Sequence, residues 1–267
     1  MPEFKVTIEL SQLFIPMACS GILFLGWLLF TYMYIRSKQA LHLAMLTLFF
    51  LGFVFVFSEA MILSVGMWRL DASIGRQFHR IEQLSGAYFM FGIAYFVQGL
   101  TDLTPGWKKV NRYVGYAGLG LAVLITIMAF IVPDLFISQA NHKAGWDTIQ
   151  ADYGRGLEGP LYQVRDALIG IMILYGTGCF IFEMARNRRF AYVLLPFIGF
   201  IVAIHGAFVD IMFVYTRVYY DLTPWSSHSR FTVGITAMIV FCMSAVYRKF
   251  FDMAHEVERA EAHASTE

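Results

Sequence analysis

Residues 41–65 read LHLAMLTLFFLGFVFVFSEAMILSV. Apolar side chains occupy every face of this stretch, and Glu59 is its one acid. A helix of this length extends about 37 Å at 1.5 Å per residue, more than the ~30 Å hydrocarbon core of a bilayer. Lipid offers the backbone no hydrogen-bonding partners, so such a segment must pair its own N–H and C=O groups, and a helix does that within the segment. Barrel strands would instead be short and would alternate polar with apolar residues. The stretch therefore predicts a transmembrane helix.

Runs of the same character lie on either side of it. They predict helices over 13–35, 41–65, 81–100, 114–132, 161–182, 191–215 and 231–247, an all-α, polytopic seven-transmembrane-helix bundle occupying 1–250. The run at 81–100 is the least uniform, because His79, Arg80, Glu82 and Gln83 stand at its start. Residues 251–267, rich in helix formers, extend the last helix as a cytoplasmic tail. Composition agrees: 58% of the 267 residues are hydrophobic and 15% charged, with a mean hydropathy of +0.60, where a soluble domain carries about 25% charged residues. This excludes a soluble enzyme and leaves no room for a separate water-soluble domain.

Lys and Arg in short loops set the orientation. Arg36 and Lys38 follow the first helix, Lys108, Lys109 and Arg112 the third, Arg186, Arg188 and Arg189 the fifth, and Arg248 and Lys249 the last. These positions share one side, read as cytoplasmic. The Pro133 to Pro160 connection, where Asp134, Asp147, Asp152 and Glu158 dilute Lys143 and Arg155, falls outside with the N-terminus. The start MPEFKVTIELSQ lacks the basic opening of a signal peptide, so the first helix is expected to be retained. Trp68, Trp107 and Trp225 near helix ends suit the headgroup region, and Pro16 and Pro196 are expected to kink their helices. The net charge of +1 gives no sign of a nucleic-acid partner. Cys19, Cys179 and Cys242 all fall in apolar runs, without metal-ligand spacing.

Ionisable groups inside such helices face a cavity or a partner. Those in the outer half are Glu59, Arg165, Asp166, His205 and Asp210, with His79, Arg80, Glu82, Gln83, Arg217, His228 and Arg230 at the rim. His79, Glu82, Gln83 and Gly86 share one helix face by their spacing, as do Asp210 and Arg217. Three readings stay open for this set. The groups pair with one another to hold the helices together; or Glu59, Glu82, Arg165, Asp166, His205, Asp210 and Arg230 line a ligand-binding pocket open to the outside; or histidines serve a heme b or quinone site. A bis-histidine heme needs two histidines at equal depth, and only His79 and His228 are level. No helix centre carries the lysine a retinal Schiff base needs. There is no HExxH, GxSxG, phosphate-cradling glycine loop or His box to mark an enzyme.

Seven helices with an outer N-terminus, short basic inner loops, polar groups in the outer half, and a last helix running out through Tyr247-Arg248-Lys249-Phe250-Phe251-Asp252 resemble the N-terminal seven-transmembrane sensor region of bacterial histidine kinases and related signalling proteins. The resemblance covers the layout of nearly the whole chain. It implies a receptor-like sensor in the inner or plasma membrane that passes a signal through its last helix to a cytoplasmic partner. The chain ends at Glu267 without a kinase or cyclase, so it is expected to act as a piece of a larger protein or with a separate partner, as an oligomer or alone. A membrane anchor subunit of a respiratory redox complex, handling quinone or heme b, is the alternative, and a transporter the third. A transporter would use the buried charges for ions and substrate; Asp102-Leu103-Thr104-Pro105 recurs as Asp221-Leu222-Thr223-Pro224, which would suit an inverted repeat but reads first as helix-ending chemistry or chance.

Overall fold

The computed structural model describes residue 8 and residues 10–101, 104–138, 152–187, 190–216 and 230–264. Within these the chain forms seven α-helices, α1 Leu10–Ser37, α2 Ala40–Met67, α3 Ala72–Leu100, α4 Pro105–Ile131, α5 Pro160–Asn187, α6 Phe190–Thr216 and α7 Arg230–Ala264, with a 3-10 turn at Pro133–Leu135. Each apolar run of the sequence falls on one of them, the fourth run overshooting α4 by Val132. Helices α1 and α6 run through Pro16 and Pro196. Arg188, Arg189, Arg217, Trp225, His228, Asp102, Leu103 and the whole of Asp221-Leu222-Thr223-Pro224 lie outside the described residues.

Side-chain pairings fix the directions. A methyl added at Gly99 would sit 2.9 Å from Leu41 Cδ1, one at Gly92 2.8 Å from Leu48 Cδ2, and one at Gly86 3.9 Å from Phe55. The positions on α2 rise as those on α3 fall, so the two helices are antiparallel. Helix α3 runs parallel to α5, because Gly86 meets Ile169, Ile93 meets Gly176 and Phe96 meets Phe180. Helix α7 lies antiparallel to α2, with Phe231 on Phe55, Ile239 on Gly52 and Phe250 stacked on His42. The helices thus alternate up and down. One end of the bundle gathers Arg36, Lys38, Lys108, Lys109, Arg112, Arg186, Arg248 and Lys249; the opposite end carries the α2–α3 and α4–α5 connections.

The bundle is apolar outside as well as inside. Leu10, Phe14, Leu25, Phe130, Ile131, Leu174 and Phe208 all stand exposed, an arrangement that water disfavours and lipid accepts. Among the described residues, six helices are long and apolar enough to cross a membrane: Gln12–Ser37, Ala40–Met67, Pro105–Ile131, Pro160–Arg186, Val193–Asp210 and Arg230–Phe251. Helix α3 is not among them, because Arg76, His79, Arg80, Glu82 and Gln83 occupy its first half. It is wedged between α2, α4 and α5 instead.

Helices α6 and α7 touch backbone to backbone. Methyls added at Gly199, Gly206 and Gly234 would lie 2.8 Å from Met238 Cα, 2.7 Å from Arg230 O and 3.0 Å from Ala203 Cα. Small residues permit such close approach where packing, not water exclusion, joins helices. Gly206→Ala is therefore expected to destabilise the protein by about 1–3 kcal/mol through overpacking. Gly178→Ala, with open space around it, should be neutral or mildly stabilising, since glycine costs a helix roughly 0.5–1 kcal/mol relative to alanine. Unfolding of both variants in mild detergent checks the contrast.

At the basic end, Lys249 Nζ donates to Gly99 O at 2.9 Å, placing a cation on the last turn of α3. Deeper in the bundle, Asn111 joins three helices. Its Nδ2 donates to Ala94 O at 2.7 Å, and its Oδ1 accepts from the Tyr175 hydroxyl at 2.7 Å. Tyr175→Phe should cost about 1 kcal/mol, the net worth of one hydrogen bond, read from thermal unfolding.

Candidate functional site

The α4–α5 connection folds back over the end of the bundle opposite the basic cluster. Its two described arms, 132–138 and 152–159, lie side by side. Ser138 N donates to Leu157 O and Gly159 N to Phe136 O, both at 2.9 Å, and Ile137 and Glu158 form an antiparallel bridge. The hairpin is tied down at both edges. Arg80 Nη2 donates to Ile137 O at 2.9 Å, and Gly156 N donates to His79 Nδ1 at 3.2 Å. Gly75 and Gly154 meet so closely that a methyl on Gly75 would lie 2.6 Å from Gly154 Cα. We call this segment the strap.

Beneath the strap lies a buried cluster of charge. Glu59 projects from α2 about 12 Å before the helix end, at 1.5 Å per residue. Glu82 projects from α3, whose start is capped by the Asp71 carboxylate accepting from Ser73 N at 2.9 Å. Both glutamates are buried, with side chains 3% and 4% exposed, and the guanidinium of Arg155, from the strap, reaches both. Its Nη2 donates to Glu59 Oε2 at 2.5 Å and its Nη1 stands 3.7 Å from Glu82 Oε2. Burial works against the Arg155 charge, but the carboxylates of Glu59, Glu82 and Asp152 outweigh it and hold the guanidinium above its usual range.

A second arginine stands beside the first. Arg165, on the first turns of α5, is 4% exposed. It donates to Gln83 Oε1, pairs with Asp166 Oδ1 at 2.8 Å, and covers the ring of Tyr162 at 4.4 Å. The last of these is a cation–π contact within the usual range. Further round the bundle, the Asp210 carboxylate on α6 accepts from Phe231 N at 2.8 Å, at the first turn of α7. It feels the charges of Glu59, Arg230 and Arg155.

The candidates from the sequence divide as follows. Glu59, Glu82, Arg165 and the rim residues His79 and Gln83 converge under the strap, and the shared face of His79, Glu82, Gln83 and Gly86 is buried as a unit. Asp210 and Arg230 adjoin at the α6–α7 end. Asp166 sits at the edge, its side chain 40% exposed. His205 stands apart, exposed on the outer face of α6. Of the other histidines, His42 lies at the basic end, bonded to Ser37 Oγ at 2.5 Å, and His79 at the strap end, so these two share no depth for a heme.

Sequence reasoning missed Arg155 and Tyr162. Arg155 reads as one more solvated loop charge, yet two signals pointed to it. In the outer half of the sequence's helices Glu59, Asp166 and Asp210 outnumber Arg165, the one cation there. Arg155 also sits in Gly154-Arg155-Gly156-Leu157-Glu158-Gly159, where small residues let a backbone pack tightly on its neighbours. The cluster can hold charge away from lipid, store or release a proton, and latch the strap to α2 and α3. No protein-family model, curated protein or solved structure matches this chain.

Proposed function

We propose that the chain is a membrane sensor or receptor-like signal transducer of seven spans, with the strap outside and the basic end and tail in the cytoplasm. A small ligand arriving from outside acts on the charge cluster under the strap, and helix movement carries the signal to a cytoplasmic partner. Helix α3 is counted as the seventh span because it runs beside α2 from Phe55 to Leu41, burying its polar half against protein. Basic residues at one end favour that end as cytoplasmic, in an inner or plasma membrane.

The observation that carries this reading is α7. It is one uninterrupted helix of 35 residues, about 52 Å long. Phe231 at its start is bonded to Asp210 beside the cluster, and its far end runs past Phe251, the end of the apolar window, to Ala264. Any ligand must bind two bundle arrangements unequally to move it. The test places nitroxides at Ser37 and Glu258, both exposed, in a protein whose Cys19, Cys179 and Cys242 are replaced. Arg165→Ala and Arg155→Ala are expected to change the distance between the labels in lipid nanodiscs. A tail that holds the same position in wild type and both variants would remove the receptor reading.

A further inference from the structure

We infer that the cluster's own ligand is a proton, held between the carboxyl groups of Glu59 and Glu82 and setting how firmly Arg155 latches the strap. This inference rests on the sensor reading for its use, though not for its chemistry.

Four observations support it. Glu59 from α2 and Glu82 from α3 bring their buried carboxyls to the same Arg155 guanidinium. Glu59 Oε1 and Glu82 Oε2 are buried and make no hydrogen bond, although buried carboxylate oxygens almost always find a donor. A proton on either acid supplies one more donor at the pair. Third, one guanidinium serves both acids, at 2.5 and 3.7 Å, and two carboxylates that share a buried site and a single cation repel each other. Fourth, the surroundings do not make up the difference.

The strap contributes Asp152 with Arg155, and α3 contributes His79 and Arg80, of which Arg80 faces Asp134. Helix α5 brings Tyr162 and the Arg165–Asp166 pair, α6 brings Asp210, and α7 brings Arg230. Helix α1 meets this part of α2 with Leu13, in an apolar cluster with Ala60 and Leu63. Acids stay in excess of bases, and one proton on the glutamate pair reduces the imbalance.

The protonation states differ in their hold on the strap. With one proton shared, the pair is a monoanion that matches the single positive charge of Arg155. Removing that proton leaves two buried charges on one guanidinium. Adding a second leaves Arg155 with no anion on α2 or α3, and the strap loses its charged tie there, keeping Arg80 to Ile137 O and Gly156 N to His79.

Infrared difference spectroscopy of the full chain in nanodiscs tests the assignment. At neutral pH the wild type is expected to show the C=O stretch of a protonated carboxylic acid, downshifted in heavy water. Glu59→Gln and Glu82→Gln should each abolish it, and Asp166→Asn should leave it unchanged. No band in the wild type, or a band that survives both Gln variants and vanishes in Asp210→Asn, overturns the inference. If a Gln variant does not fold, deuterium uptake over 152–159 in the wild type decides instead. After correction for intrinsic exchange it should be lowest near neutral pH and rise towards acid and alkali, and a flat profile overturns the inference. The nitroxide pair at Ser37 and Glu258 separates the two readings. A band with an unmoved tail keeps the proton and sinks the receptor, and a moving tail without the band does the reverse.

Discussion

Replacing Arg155 by alanine is expected to be the most damaging single change in the strap, lowering stability by about 3–5 kcal/mol, the usual cost of removing one partner from a buried ion pair. The variant leaves Glu59 and Glu82, both nearly inaccessible, without the guanidinium that reaches them both. Most of that penalty belongs to the stranded acids and not to the lost contact, so neutralising them should restore much of it. The triple variant Arg155→Ala, Glu59→Gln, Glu82→Gln is expected to be more stable than Arg155→Ala alone. Glu82→Gln by itself should be tolerated best, because the 2.5 Å bond from Arg155 to Glu59 remains. Thermal unfolding of the full set in nanodiscs measures the coupling directly. Equal losses in Arg155→Ala and the triple variant would show that the strap is held by its backbone contacts alone.

Gly75→Val is expected to come next in size and to act by another route. Even a methyl at Gly75 falls 2.6 Å from Gly154 Cα and 2.7 Å from Gly154 O, and backbone atoms cannot rotate away as a side-chain tip can. The strap must lift or α3 must shift. Arg155 follows one residue after Gly154, so lifting the strap withdraws the guanidinium from both glutamates and incurs overpacking of about 1–3 kcal/mol as well. Limited proteolysis should then cut within 152–159 in the variant and spare the wild type. Gly120→Val, at a position with open surroundings, serves as the control and should leave the strap protected.

The helices were legible in the sequence because lipid imposes a simple demand. A segment with no outside hydrogen-bonding partners must be apolar and long, and α2, α4, α5 and α6 announce themselves that way. Helix α3 shows where that logic thins. It is shielded by α2, α4 and α5 over much of its surface, so it tolerates His79, Arg80, Glu82 and Gln83 in a stretch that hydropathy alone scores poorly. The spacing of these residues nevertheless placed His79, Glu82 and Gln83 on one face, and that face is the one turned inward. Arg155 was harder to find, since periodicity says nothing about an irregular segment and its partner Glu59 is 96 positions earlier. His205 misled for the opposite reason: a histidine in an apolar run suggests burial, whereas it stands on the exposed side of α6.

That separation of 96 positions bears on how the protein is made. The hairpin of α2 and α3 leaves the ribosome well before the arginine that neutralises it exists. At 5–20 residues per second, Arg155 is synthesised roughly 5–20 s after Glu59. During that interval the nascent hairpin must carry its two acids protonated, in contact with headgroup water, or shielded by an insertion factor. Biogenesis of this chain should therefore be most vulnerable midway through translation, and stalling the ribosome before codon 155 should leave α2 unusually prone to slip back out of the membrane.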